Sequence, residues 1–225
     1  QTKDTSDSDT PVAILYTNAS AEMHGAEQQL MHLITRLNPA EFTPQVVLPA
    51  NGPLLRLLAA RSVRADVLRL AVLQSRKELY SPKLLAALAR LLPSALALAR
   101  RMQADGVRVV HSNSSAVIDG AVAARLAGIP HVWHVRELLH GPAPVVGPLR
   151  MAITGLSDCV ICISSAVCEQ FSARDGRFRI IPSGIDTNET VPASAKVRAR
   201  WRHVWGFPMH AVVVGMVGRI NYWKG

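Results

Sequence analysis

The feature that most constrains the fold is the alternation of short apolar runs with helical patterns. Residues 11–17 form a continuous apolar run, residues 18–25 follow as a loop, and Leu30, Leu33, Ile34 and Leu37 then recur at the spacing of one helix face. Continuous apolar strands are typical of parallel sheets that are buried on both faces. The pattern predicts a mostly parallel, doubly wound α/β sheet with helices on both faces. Strands are expected near 12–16, 45–48, 67–70, 107–111, 131–135, 159–163 and 178–181.

Turn and capping residues divide the chain further. Pro93 is expected to kink or split a long helix, Gly128 to end another, and Ser164 to cap a third. We predict a polar leader over 1–10, one domain over 11–186, a linker with a basic helix over 187–210, and a new strand that begins a second domain over 211–225. The predicted helices are 26–37, 53–60, 82–103, 116–127, 149–157, 165–171 and 196–205.

Composition narrows the class of partner. The chain of 225 residues carries a formal charge of +9, which favours an anionic partner such as a nucleotide diphosphate, a membrane surface or nucleic acid. Aromatic residues make up only 5%, so nucleic acid is the least favoured of the three. The apolar stretch over 84–99 contains Arg90 and Pro93 and is shorter than the roughly 20 residues needed to span a bilayer. No spanning helix is predicted.

The three cysteines lie close together in sequence but do not indicate a metal or redox pair. Cys159 and Cys162 are three apart in a predicted strand, so their side chains point to opposite faces. With Cys168, they are expected to be free thiols in a reducing cytoplasm.

Ionisable side chains follow the predicted strand 131–135. His134 lies at its end, and Arg136 and Glu137 come directly after it. Open α/β sheets bind ligands at the carboxyl ends of their strands, so His134 is the first candidate for catalysis. The alternative is that His131 and His134 make only structural hydrogen bonds.

Residues after two other predicted strands are also candidates for ligand binding. His111 and Asn113 end the predicted strand 107–111, and Gly25 opens the helix after the first strand. Backbone N–H groups at that helix start could hold a phosphate or a sugar hydroxyl. Asn113, Ser114 and Ser115 could equally be helix-capping groups, and His111 could line the site or pack within it. We predict that His134, His111 and the 18–25 loop converge on one crevice.

Five segments, in chain order, resemble motifs of one enzyme family, the retaining GT-B glycosyltransferases of family 4. These segments are Gly25-Ala-Glu27-Gln, His111-Ser-Asn113-Ser, the run 128–137, Ser183-Gly-Ile-Asp186, and Gly218-Arg219 with Lys224-Gly225. The resemblance implies a Rossmann-like acceptor-side domain, followed by the start of a nucleotide-sugar-binding domain. It also implies transfer of a sugar, of hexosyltransferase type, from a nucleotide-diphosphate donor to an acceptor with retention.

The same resemblance implies roles for individual residues. His134 would be catalytic and would hydrogen-bond the donor sugar, while Arg219 and Lys224 would contact the donor pyrophosphate. Neither a metal nor a cofactor would be needed, because basic groups and helix amino ends meet the leaving group's charge. The residues implied in acceptor or donor binding are Gly25, Glu27, His111, Asn113, Arg136 and Glu137.

The sequence departs from the family pattern at two points. His24 precedes Gly25 where the family often has a second glycine, and the paired glutamates of the family's second domain are absent from these 225 residues. We therefore expect the chain to be the amino-terminal part of the enzyme and to be inactive alone. The main alternative is a non-catalytic Rossmann-like module that binds an anionic ligand. A dinucleotide-binding domain is less favoured, because the first loop lacks the Gly-x-Gly-x-x-Gly pattern.

The acceptor and the location stay open. The acceptor is expected to be a glycan or a lipid-linked molecule, and the protein is expected to be cytoplasmic or peripheral at the inner face of the membrane. Basic and apolar residues alternate over 76–101. This segment is either a membrane-surface element or a core helix with a solvated charged face.

Overall fold

The computed structural model describes residues 10–72, 82–171, 175–188 and 191–218. Its centre is one sheet of seven strands in the order β3-β2-β1-β4-β5-β6-β7. Every neighbouring pair is parallel, which confirms the predicted doubly wound α/β fold. The strands are β1 Val12–Thr17, β2 Phe42–Leu48, β3 Arg64–Val67, β4 Val109–Ser112, β5 His131–Val135, β6 Cys159–Cys162 and β7 Phe178–Ile180.

Helices cover the sheet on both faces. Leu15 and Tyr16 are consecutive in β1 and therefore point to opposite sides. Tyr16 packs in a core cluster with residues of α1 and α2, whereas Leu15 packs in another with residues of α3 and α4. The helices are α1 Gly25–Ile34, α2 Pro53–Ala60, α3 Pro82–Ala104, α4 Asp119–Ala127, α5 Ala143–Leu156, α6 Ser165–Glu169 and α7 Ala195–Val204. None of the helices in the described part of the chain is both long and apolar enough to cross a bilayer.

The strand order places a crevice beside β1 and β4. These two strands are adjacent, yet the chain leaves β1 for β2 on one side and leaves β4 for β5 on the other. Loops that follow neighbouring strands in opposite directions leave a gap at the carboxyl edge of the sheet. β5 lies directly beside β4, so the polar residues that follow all three strands meet at that gap.

One strand is shifted from its predicted place. β3 covers Arg64–Val67, three residues before the expected 67–70. The reason is the tight end of α2, where Ser62 has a positive φ of 58° and reverses the chain early. Residues after Val67 leave the sheet, and the N–H of Ala71 donates to the buried carboxylate of Asp119 at 3.0 Å.

Prolines led to errors at two helices. Pro93 was expected to kink or split α3; the split is wrong, because α3 is continuous through Pro93 and the following Ser94 and Ala95 are buried against the core, whereas the kink stays a prediction. α5 begins at Ala143 and not near 149, since its early proline stands in the first turn, where no N–H is needed.

The two residues predicted to lie at helix ends, Gly128 and Ser164, do so in the structure. Gly128 ends α4 with φ 68°, and the Ser164 hydroxyl caps α6 by accepting the N–H of Val167 at 3.2 Å.

The chain forms two compact units, Gln1–Ser183 and Gly184–Gly225. The second unit contains α7, which is capped by the Ser194 hydroxyl and followed by Gly206 in the left-handed conformation. The strand predicted over 211–217 is not formed, because no described strand pairs with it and its side chains, such as Met216, lie in solvent. The predicted domain boundary at 186 stays a prediction.

Candidate functional site

The loop between β1 and α1 is held by a buried amide. The side chain of Asn18 is fully buried, and its Nδ2 donates to the Ser20 carbonyl at 2.7 Å and to Oε1 of Glu27 at 3.0 Å. The other oxygen of Glu27 accepts the N–H of His24 at 3.2 Å. Glu27 therefore stands in the first turn of α1, where a carboxylate is favoured by the helix dipole, and fixes both ends of the loop.

The same loop packs tightly on the start of α2. A side-chain carbon at Gly52 would lie 2.5 Å from the carbonyl oxygen of Ala21, so only glycine permits this approach. The Ala21 carbonyl accepts the N–H of Leu54 at 2.9 Å. Gly25 differs, because a side-chain carbon there would have no atom within 4 Å. The protein's own packing does not require a glycine at position 25.

Asn113 joins the carboxyl ends of three strands. Its Nδ2 donates to Oδ1 of Asn18 at 2.8 Å and to the carbonyl of Ala26 at 3.2 Å. Its Oδ1 accepts from Nε of Arg136 at 3.1 Å and from Nη2 at 2.9 Å. The ends of β1, β4 and β5 and the start of α1 are thus linked through one side chain, so the segments predicted to converge lie close together, while their role as one ligand crevice stays a prediction.

Glu137 holds the loop after β4. Its Oε1 accepts the hydroxyl of Ser114 at 2.6 Å, and the N–H and hydroxyl of Ser115 at 3.2 and 2.8 Å. Its Oε2 accepts the N–H of Arg136 at 2.7 Å. The interpretation of Asn113, Ser114 and Ser115 as helix caps was wrong, because α4 begins only at Asp119.

His134 presents one unpaired hydrogen-bond donor. Its ring is 8% exposed, and its Nδ1 lies 3.3 Å from Nη2 of Arg136. A guanidinium can only donate, so Nδ1 accepts and the ring proton is on Nε2. Burial and, secondarily, the charge of Arg136 lower the pKa of His134 to about 3, which keeps the ring neutral. Nε2 is buried and has no partner among the described residues.

His111 packs within the site. Its ring centroid lies 5.0 Å from that of Tyr16 and 5.5 Å from that of His134. Burial, followed by the electrostatic effects of His134, Arg136 and His131, which disfavour a further positive charge, holds the pKa of His111 well below the usual value for histidine. Its Nε2 is also buried and unpaired within the described chain. The two imidazoles therefore form a neutral polar pair behind the crevice.

Arg136 links the site to the end of the first unit. Besides Asn113 and His134, its guanidinium donates to the Ser183 hydroxyl at 3.4 Å. Burial lowers the pKa of Arg136, while the carboxylates of Glu137 and Glu27 act in the opposite direction. The charged groups of this cluster are thus two carboxylates and one guanidinium, all used to hold neighbouring loops.

His131 lies outside the site, although it is on the same strand. Its Nε2 lies 2.9 Å from the Ser112 hydroxyl and its Nδ1 lies 3.3 Å from that of Ser157. Burial lowers its pKa to about 4, against a smaller opposing effect of Asp158. The interpretation that the histidines make only structural hydrogen bonds therefore fits His131, whereas the role of His134 stays a prediction.

Sequence reasoning missed Gln170, which supports the loop after β5. Its Oε1 accepts the N–H of Leu139 at 2.7 Å, and its Nε2 donates to the carbonyl of Glu137 at 3.1 Å. No local pattern marks a glutamine whose partners lie more than 30 residues earlier in the chain. Arg219 and Lys224, which were predicted to bind pyrophosphate, lie outside the described residues.

A cleft of about 490 Å³ lies at the opposite edge of the sheet. It is lined by Phe42 and Thr43 at the start of β2, by Arg64 at the start of β3, and by the end of α1. Ligand sites in such sheets lie at the carboxyl edge, and the residues that the sequence singled out are there. This cleft is therefore separate from the candidate site.

The three cysteines are free in the structure, as expected. Cys162 is buried in the core cluster that also contains Cys168, whereas Cys159 is only partly buried. This difference follows from the alternation of side chains along β6.

Solved structures with similar folds include a glycosyltransferase and a protein in complex with UDP. The structure of Anabaena HepE in complex with UDP is 20% identical over 87% of this chain and 50% of that one, with a TM-score of 0.63. A glycosyltransferase from Rickettsia africae is 14% identical over 96% and 55%, with a TM-score of 0.68. MurG of Acinetobacter baumannii is 18% identical over 73% and 44%, with a TM-score of 0.54. At these identities the likeness establishes the fold.

The chain spans about half the length of these structures. A search of the curated proteins found no match to its sequence. The sequence model of Glycosyltransferase Family 4 matches residues 23–189, which is most of the chain and includes every candidate residue from Gly25 to Glu137. This protein belongs to Glycosyltransferase Family 4.

Proposed function

We propose that this chain is the amino-terminal, acceptor-side part of a retaining glycosyltransferase that takes a sugar from a nucleotide-diphosphate donor. The observation that carries the proposal is the unpaired Nε2–H of His134 at the carboxyl edge of the sheet. A buried donor without a partner costs about 1–3 kcal/mol, and a ligand oxygen would recover that cost. The neutral ring suits a hydroxyl of the donor sugar as its partner.

The protonation state limits what His134 can do. Because its pKa is about 3 and Nδ1 is engaged by Arg136, the ring has no free lone pair at neutral pH. His134 would therefore donate a hydrogen bond to the sugar and would not remove a proton from the acceptor. The acceptor's proton would have to go to another group.

The charges of the cluster suggest which part of the donor it meets. The two carboxylates and one guanidinium of Glu27, Glu137 and Arg136 give the cluster no net positive charge, and each group is hydrogen-bonded to neighbouring residues. A diphosphate requires positive charge, whereas sugar and acceptor hydroxyls require neutral donors and acceptors. We assign the sugar and the acceptor to this crevice, and the pyrophosphate to Arg219 and Lys224 at the start of the second domain. With basic groups in that role, we propose that the reaction needs neither a metal nor a cofactor.

The donor and the setting are proposed from the family. HepE structures contain UDP and UDP-glucose, so UDP-glucose is a suitable first probe for this protein. We propose a glycan or lipid-linked acceptor and a cytoplasmic protein that associates with the inner face of the membrane.

The test has two parts. Calorimetric titration of the 225-residue chain with UDP-glucose and other nucleotide-diphosphate sugars should show weak binding or none, because the pyrophosphate contacts require a formed second domain. Tight binding by this chain alone would instead identify a self-sufficient binding module.

The second part uses the longer protein that contains this chain. Its products from a panel of nucleotide-diphosphate sugars should keep the donor's anomeric configuration when examined by NMR. An inverted product would overturn the retaining assignment, and the absence of transfer with every donor and acceptor would overturn the enzymatic one.

A further inference from the structure

The first half of α3 exposes an apolar face. Leu85, Leu88, Leu92 and Leu96 are 71%, 53%, 58% and 39% exposed. Their spacings of three and four residues place them on one side of the helix. Isolated exposed leucines are common, but four in one row form a continuous apolar stripe, which we call the leucine face.

The leucine face is distinct from the side of α3 that packs on the domain. Ala95, Leu98, Ala99 and Met102 are buried in the core cluster beside β1 and β4. The Ser94 hydroxyl also points inward and donates to Asp119. The core therefore has its own residues on α3, and the leucine face is not needed to complete it.

The charges along α3 are of one sign. The sequence from Pro82 to Ala104 contains Lys83, Arg90, Arg100 and Arg101 and no acidic residue. Arg90 and Arg100 are exposed, while Arg101 is paired with Asp66 and Asp105. Arg100 lies one turn after Leu96, at the edge of the leucine face, whereas Arg90 is two residues from both Leu88 and Leu92 and lies on the other side of the helix. An apolar row with arginines on the rest of the exposed surface has the pattern of a helix that lies in a membrane interface.

We propose that the leucine face of α3 binds an anionic membrane surface. The leucines enter the boundary between headgroups and acyl chains, Arg100 contacts the anionic headgroups, and Arg90 adds to the attraction from the far side of the helix. A second copy of this chain fits less well, because α3 carries only positive charge and two copies of it would repel each other. The inference specifies the peripheral location proposed above, and it does not depend on the transfer reaction.

The test is sedimentation of the chain with vesicles of phosphatidylcholine, with and without phosphatidylglycerol. Binding should be strong only when phosphatidylglycerol is present and should weaken as salt is added. Leu88→Gln with Leu92→Gln should lower the partition coefficient at least about tenfold, since apolar area no longer enters the interface. Arg100→Gln should lower it about fivefold, and Arg90→Gln, on the far side of the helix, should lower it by less.

A matched control is available on α4. Arg125 and Leu126 are also exposed, so Arg125→Gln with Leu126→Gln removes the same types of side chain from another helix and should leave binding unchanged. Thermal unfolding of each variant separates binding from folding. The Leu88 and Leu92 variant should unfold at the same temperature as the parent.

Several outcomes would overturn the proposal. These are equal binding to both vesicle types, binding to neither, or an equal loss in the α4 control. A large fall in the unfolding temperature of the Leu88 and Leu92 variant would also overturn it, since that would show the leucine face to be covered by another part of this chain.

Discussion

The two ends of β5 carry histidines in contrasting environments. His131 at the amino end and His134 near the carboxyl end are both buried, and burial lowers the pKa of each, to about 4 and about 3. Both nitrogens of His131 lie beside serine hydroxyls, on Ser112 and Ser157. His134 has one nitrogen held by Arg136 and the other unpaired.

This difference separates a structural residue from a candidate ligand contact. Buried polar atoms in folded proteins are nearly always paired, so His131 is explained by the domain itself. The unpaired Nε2 of His134 has no partner among the described residues, and it lies where we propose that the sugar binds. The predictions below test this division, beginning with the largest expected effect.

The largest effect is expected from His134→Ala in the proposed transferase of which this chain would be the amino-terminal part. Loss of one positioned donor to the donor sugar should lower kcat by about a hundredfold or more. His134→Gln, which keeps an N–H donor, should recover part of that loss. Steady-state kinetics of purified, folded variants measures the effect. Unchanged kcat in His134→Ala would end its assignment to the site.

The matching change at the other end, His131→Ala, should act on stability. It removes a buried ring and leaves the Ser157 hydroxyl without this partner, while the Ser112 hydroxyl keeps Thr17, so the free energy of unfolding should fall by about 2–4 kcal/mol. Urea unfolding measures this value, and His140→Ala, at an exposed histidine, serves as the control. If His131→Ala instead lowers kcat with little loss of stability, the division between the two ends is wrong.

Acid should destabilise the first unit through both histidines. Their folded pKa values lie below the usual 6.5, so the unfolded chain binds more protons as the pH falls. Stability that is present above pH 6.5 should be lost as the pH falls towards about 4, by up to about 1.4 kcal/mol per pH unit for each histidine. Urea unfolding at a series of pH values measures the slope. His131→Gln should make the slope shallower by about the contribution of one bound proton. An unchanged slope would show that His131 is not buried in its neutral form.

The smallest effect is expected at Gly25. A side-chain carbon fits there without contact, so Gly25→Ala should leave the free energy of unfolding unchanged or raise it by at most about 1 kcal/mol. If a ligand approaches the start of α1, the same change should weaken donor or acceptor binding in the longer protein. Gly147→Ala is the control, because position 147 lies inside α5 and is equally free of contacts. It should test the effect on stability and leave binding unchanged. Normal binding by Gly25→Ala would remove Gly25 from the site.

Local patterns were sufficient for much of the fold and for the location of the site. Apolar runs separated by helical patterns determined the parallel sheet, polar residues directly after strands marked Asn113, Arg136 and Glu137, and the start of the first helix marked Gly25. The errors came from turns and prolines. The start of α5 and the continuity of α3 depend on which N–H groups a proline removes and on what the helix packs against.

The sequence by itself determined that His134 stands at a strand end with Arg136 and Glu137 close by, because strand alternation and order along the chain are local properties. Only the tertiary structure decided that Asn113 joins Asn18 to Arg136, that Glu137 binds the loop after β4, and that Gln170 supports the loop after β5. It also decided that His134 and not His131 keeps an unpaired nitrogen. Each of these depends on which strands become neighbours and which faces are buried, and that is set by the packing of distant segments and not by any local run of residues.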